Sequence, residues 1–122
     1  MSLRENIFAI SPEIRYVAIY RHSKLELSER PGLANASSSE SDKYEELIVN
    51  PTLLKLVQQR GDIDCGGAQF VHIRYGNFFQ FIRPVAGGHI SVGSEVSADP
   101  LAIGAELEKV LARSGLAASG AS

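Results

Sequence analysis

Between Gly66 and Glu95 the chain falls into three short strand-like runs: Ala68–Tyr75, Phe78–Val85 and His89–Glu95. Only Gly76-Asn77 and Ala86-Gly87-Gly88 separate them. Connections so short leave no room for a crossover, so the three runs pair as an antiparallel meander. In the first run Val71, Ile73 and Tyr75 share one face, with Phe70, His72 and Arg74 on the other. The second is apolar on both faces as far as Arg83, which suits a strand inside the sheet. In the third, Ile90 and Val92 face the core, and the opposite face carries His89, Ser91 and Gly93, small enough to admit a helix closely.

Upstream, Leu3, Ile7 and Ile10 recur at helical spacing and predict a short helix over Ser2–Ile10, ended by Ser11-Pro12. Arg15–Tyr20, rich in β-branched and aromatic residues, reads as a strand. After a turn at Arg21-His22-Ser23, Lys24–Arg30 alternates Leu25 and Leu27 with polar residues, as a strand with one wet face at a sheet edge does. Pro31-Gly32 stops it. Ala34–Ser41 is a flexible connection of small polar residues, with Ser37, Ser39 or Ser41 available to cap the helix that follows. Tyr44, Leu47, Ile48, Leu53, Leu54 and Val57 keep a helical rhythm that Asn50-Pro51 interrupts. The pattern predicts two helices, roughly 40–49 and 51–60, with Asn50 capping the second and Gly61 closing it. Asp99-Pro100 opens a last helix, whose apolar stripe Leu101, Ala105, Leu107, Val110 and Leu111 runs to Arg113.

The element order is thus αββαβββα, an α+β fold built on one five-stranded antiparallel sheet flanked by helices. At 122 residues the chain makes one domain, taken as 1–116 with a disordered tail over 117–122.

Composition narrows the function. A formal charge of −2, with Lys and Arg spread singly, offers no attraction to phosphate backbones or anionic membranes, so neither nucleic acid nor membrane is an expected partner. No apolar run reaches the length of a membrane span, and the first residues lack a signal-peptide pattern. Cys65 is the one cysteine, which excludes an internal disulfide and suits the cytoplasm.

Candidate chemistry is thin. Gly61-x4-Gly66-Gly67 lacks the Lys-Ser/Thr of a nucleotide loop and runs into a strand, and Gly87-Gly88 reads as a hairpin turn. His22, His72 and His89 have no partner at metal-ligand spacing and read as surface or interface histidines. Cys65 has no recognisable base and reads as a small buried hydrophobe. Glu45-Glu46 and Asp62/Asp64 read as solvated acidic faces. No catalytic residue, cofactor or metal is expected.

Tyr16-Val-Ala-Ile-Tyr20 as first strand, and Phe79-Gln-Phe-Ile-Arg-Pro-Val85 passing through Gly87-Gly88 into Ile90-Ser-Val-Gly-Ser-Glu95, give a pattern that resembles the roadblock/dynein-light-chain family and its longin and profilin-like relatives. Family members often have a glycine between the first two strands, where this chain has His22-Ser23-Lys24. The resemblance implies a strand order of 2-1-5-4-3. It also implies a homodimer formed by pairing third strands and central helices, with Phe70, His72, Arg74, Tyr44, Leu47 and Leu54 at the interface. The implied role is a non-enzymatic scaffold or regulator, commonly of small GTPases or motor assemblies. The alternative is a small-molecule sensor of PAS/GAF or profilin-like type, with a ligand held between the sheet and Ala34–Ser41.

Overall fold

The computed structural model describes residues 1–116. The tail expected over 117–122 lies outside the described residues. The elements are α1 (Leu3–Phe8), β1 (Ile14–Arg21), β2 (Lys24–Glu29), α2 (Ser39–Tyr44), a π-helical turn (Glu45–Val49), α3 (Asn50–Asp64), β3 (Val71–Arg74), β4 (Phe79–Val85), β5 (Gly88–Ser94) and α4 (Pro100–Arg113). The five strands form one sheet in the order β2-β1-β5-β4-β3, every neighbouring pair antiparallel. This is the order the resemblance implied.

Strand alternation sends two kinds of residue to the two faces. Val17, Ile90, Val92 and Phe81 join Ile7 from α1 and Ile103, Leu107, Val110 and Leu111 from α4 in a continuous apolar core. Gly104 lets α4 sit directly on Phe81, since a Cβ there would stand 2.7 Å from the ring. Arg83, buried on β4, donates from Nη2 to Glu108 Oε2 at 3.1 Å and ties the same helix down. Both predicted caps at the ends of the chain form: Ser2 makes a capping box with Glu5, and Asp99 accepts from the Ala102 N–H ahead of Pro100.

The central helices differ from expectation. There is no break at Asn50-Pro51: α2, the π turn and α3 run on without leaving helical geometry. Proline lacks an N–H and its ring clashes with the carbonyl four residues back. The wider π turn absorbs both defects, with the Asn50 N–H donating to Glu45 O five residues earlier. Asn50 therefore caps nothing, and its side chain turns inward. Ser38 is the N-cap of α2, its Oγ accepting from the Ser41 N–H, in place of Ser37, Ser39 or Ser41. Gly61 does not close α3, which continues to Asp64. It permits close packing, because a Cβ on it would stand 2.9 Å from the Ala68 backbone nitrogen.

β3 is shorter than the Ala68–Tyr75 run, because Gly66 and Gly67 take positive φ and the chain rejoins the ladder only at Val71. In the β1–β2 hairpin, His22 (φ 52°) and Ser23 (φ 67°) hold the double positive-φ turn that usually calls for glycine or asparagine.

Candidate functional site

The second face of the sheet is polar at its centre. Gly93, Ser91 and His89 of β5 lie level with Tyr16, Ala18 and Tyr20 of β1 and with Gln80, Ile82 and Pro84 of β4. The π turn and the start of α3 lower Glu46 and Asn50 onto this surface. Glu46 is 0% exposed, and five donors converge on its carboxylate. Oε1 lies 2.7 Å from His89 Nε2, 2.6 Å from Ser91 Oγ and 3.0 Å from Asn50 Nδ2. Oε2 accepts from the Tyr16 hydroxyl and, at 3.2 Å, from Gln80 Nε2. Asn50 Nδ2 also donates to Ser91 Oγ at 3.1 Å, closing a ring of bonds.

Burial alone would raise the Glu46 carboxyl, but the bonds from His89, Ser91 and Tyr16 outweigh it and hold the group below the usual range. Burial, with the Glu46 charge behind it, drives the Tyr16 hydroxyl far up. An ionised carboxylate only accepts, so His89 Nε2 carries the proton in this contact. The cluster is a satisfied polar core that locks the central helix onto the sheet. It corrects two sequence expectations: Glu46 is no solvated acid, and His89 is not at the surface.

Beside this cluster lies a cavity of about 450 Å³, walled by β1, β4, the π turn and the serine-rich segment. A β-bulge between Ile14 and Tyr16 turns Arg15 to the same side as Tyr16, and both line it. Arg15 Nη1 donates to Glu95 Oε1 at 2.8 Å, and Nη2 donates to the carbonyls of Ala34 (3.0 Å) and Asn35 (3.3 Å). Those bonds staple the segment over the opening. On the opposite wall, Tyr75 Oη donates to Glu45 Oε1 at 2.8 Å. The Tyr75 hydroxyl is pushed up to about 12, by burial first and then by the Glu45 bond. Glu45 and Asp42 are both raised, by burial first and then by neighbouring carboxylates, although the Tyr75 bond pulls Glu45 back.

The residues expected at an interface occupy two places. Tyr44 and Leu47 project from the central helical run and are exposed, as are Ile48, Leu56 and Ile63 beyond them. Phe70, His72 and Arg74 are exposed at the β3 end of the sheet, on the α4 side, with Phe70 stacked on Phe81 and Arg74 over Phe79. Leu54 is 5% exposed and belongs to the interior, so it presents nothing to a partner. Cys65 is exposed, not buried, because the glycines after it carry the chain away from the core.

Among the described residues, no group of three or more His, Cys, Asp or Glu is placed to hold a metal ion. No helix there is long and apolar enough to cross a membrane.

No protein-family model and no curated protein matches the chain. Among solved structures, the crystal structure of MglC from Myxococcus xanthus is similar, with a TM-score of 0.53 at 10% identity, covering 93% of this chain and 99% of that one. Together with the sheet order, this likeness makes the fold roadblock-like.

Proposed function

We propose that the chain is a non-enzymatic interaction module that works as a homodimer and acts as a scaffold or regulator, with a small GTPase as the partner class that the roadblock-like fold suggests. One observation carries the reading. The outer side of the central helical run exposes Leu47 (44%), Ile48 (53%) and Ile63 (74%) in a chain that otherwise buries its large aliphatic residues well. Exposed apolar surface of this kind marks protein contacts. It lies toward β3, a terminal strand with unpaired backbone groups on its outer edge. The opposite edge, β2, carries Lys24, Glu26 and Glu29, charges that discourage pairing. Phe70, His72, Arg74, Tyr44 and Leu47 form the interface in this reading, without Leu54. Light scattering after gel filtration tests it: the parent chain is a dimer at low micromolar concentration, and Leu47→Asp or Phe70→Asp is monomeric with its unfolding midpoint little changed. A monomeric parent, or fully dimeric variants, sinks the assignment.

The cavity favours a second reading, a small-molecule sensor. It lies between the sheet and the serine-rich segment, has the volume of an ordinary ligand site, and includes charged and aromatic groups in its lining. A reproducible small adduct on the subunit mass under native conditions supports it, and a bare subunit mass counts against it.

A further inference from the structure

The cavity has more acceptors than donors. Its wall holds three carboxylates, Glu29, Asp42 and Glu45, against one guanidinium, Arg15. That guanidinium is already engaged by Glu95 and by the carbonyls of Ala34 and Asn35. Two acceptor oxygens of lining residues are buried without a hydrogen-bond partner among the described residues, Glu45 Oε2 and Gln80 Oε1. Gln80 is 1% exposed and its amide nitrogen is committed to Glu46, so the atom left over is an acceptor. Buried acceptors are nearly always paired in folded proteins, and two in one wall call for donors.

Charge and shape narrow the class. An anion would meet three carboxylates, with the fourth, Glu46, bonded to Gln80 just behind the wall. A quaternary ammonium would satisfy the charge but has no N–H to give. Tyr44, Tyr75 and Phe78 contribute rings to the lining, and aromatic faces attract cations and cover aliphatic stems. The upward displacement of Asp42 and Glu45 marks negative charge held close without compensation.

We infer that this cavity binds a small organic cation bearing N–H donors, a primary ammonium or guanidinium on a short aliphatic stem. Glu45 and Gln80 accept its protons, and Tyr75 and Phe78 pack on the stem. The inference rests on the second reading above and narrows it to one ligand class.

The test is a titration of the isotope-labelled full chain followed by amide NMR. The probes are n-butylammonium, its neutral counterpart n-butanol, and N-acetyl-lysine methylamide. The expected result is that n-butylammonium shifts the amides of Glu45, Tyr75 and Gln80, with n-butanol at least about tenfold weaker. Glu45→Gln and Asp42→Asn each weaken n-butylammonium, and Ser37→Trp, an exposed change on the covering segment, blocks it without touching the polar core. Tighter binding of the lysine derivative identifies a peptide side chain as the natural source of the cation, and tighter binding of n-butylammonium identifies a free amine. Equal binding of n-butanol and n-butylammonium overturns the cation assignment and leaves a ligand cavity standing. Binding by no probe overturns the assignment, and the sensor reading then stands or falls on the native-mass adduct alone.

Discussion

His89 Nε2 lies 2.7 Å from Glu46 Oε1, joining the centre of β5 to the π turn across 43 positions of sequence. Around that contact Tyr16, Gln80, Asn50 and Ser91 complete the coordination of a carboxylate with no solvent exposure. Replacing Glu46 with glutamine keeps the volume but turns a donor toward donors. Breaking a buried charge network costs about 3–5 kcal/mol, so Glu46→Gln is expected to lose stability on that scale. Urea unfolding measures it, and a loss below about 1 kcal/mol, the worth of one ordinary hydrogen bond, contradicts the assigned role.

The carboxylates make opposite contributions to the pH dependence. Glu46 is lowered by folding, so the unfolded chain binds its proton first as pH falls. Its stabilisation is present above the ordinary carboxylate range and is lost as pH drops through the folded value. Asp42 and Glu45 are raised, so their cost appears as pH rises through the same range and is complete above their folded values. Asp42→Asn should therefore raise the thermal midpoint at neutral pH and leave it unchanged below about pH 4, where both states are protonated. A constant gap at every pH would rule out charge as the cause.

Ser23 sits at φ 67° in the β1–β2 turn, where a side chain costs roughly 1 kcal/mol against glycine. Ser23→Gly should stabilise the chain by about that amount, less the added entropy of the unfolded glycine. A denaturation midpoint at or below the parent's contradicts this.

Gly61→Ala improves helix propensity by about 1 kcal/mol on paper. The added Cβ would meet the Ala68 nitrogen at 2.9 Å and the Gly67 carbonyl carbon at 3.0 Å, backbone that has no room to yield. The expected net effect is a destabilisation of about 1–3 kcal/mol, read by thermal unfolding. A stabilised variant would show that this crossing of α3 and the following loop is looser than described.

The meander, the edge strand β2 and helix α4 were legible in the sequence because their signals are local: alternation, short turns, and an Asp-Pro start. The site was not. Glu45-Glu46 looks like any acidic pair on a helix, and nothing nearby in sequence says that one of them is buried. The available clue was the small polar face of β5, Ser91 and Gly93 beside His89, which was read as room for a helix and not as a demand for a polar one.

Local patterning alone determined that this chain makes one antiparallel sheet with helices before, within and after the strands, since short connections and side-chain periodicity leave few other arrangements. Tertiary structure decided which polar residues are buried and what they meet. The π turn forced by Pro51 sets the face on which Glu46 lands, the bulge at Arg15 aims a guanidinium at the serine-rich segment, and the acceptors Glu45 and Gln80 come together from elements more than thirty residues apart. Burial is a property of the packed whole, and no local pattern in the chain encodes it.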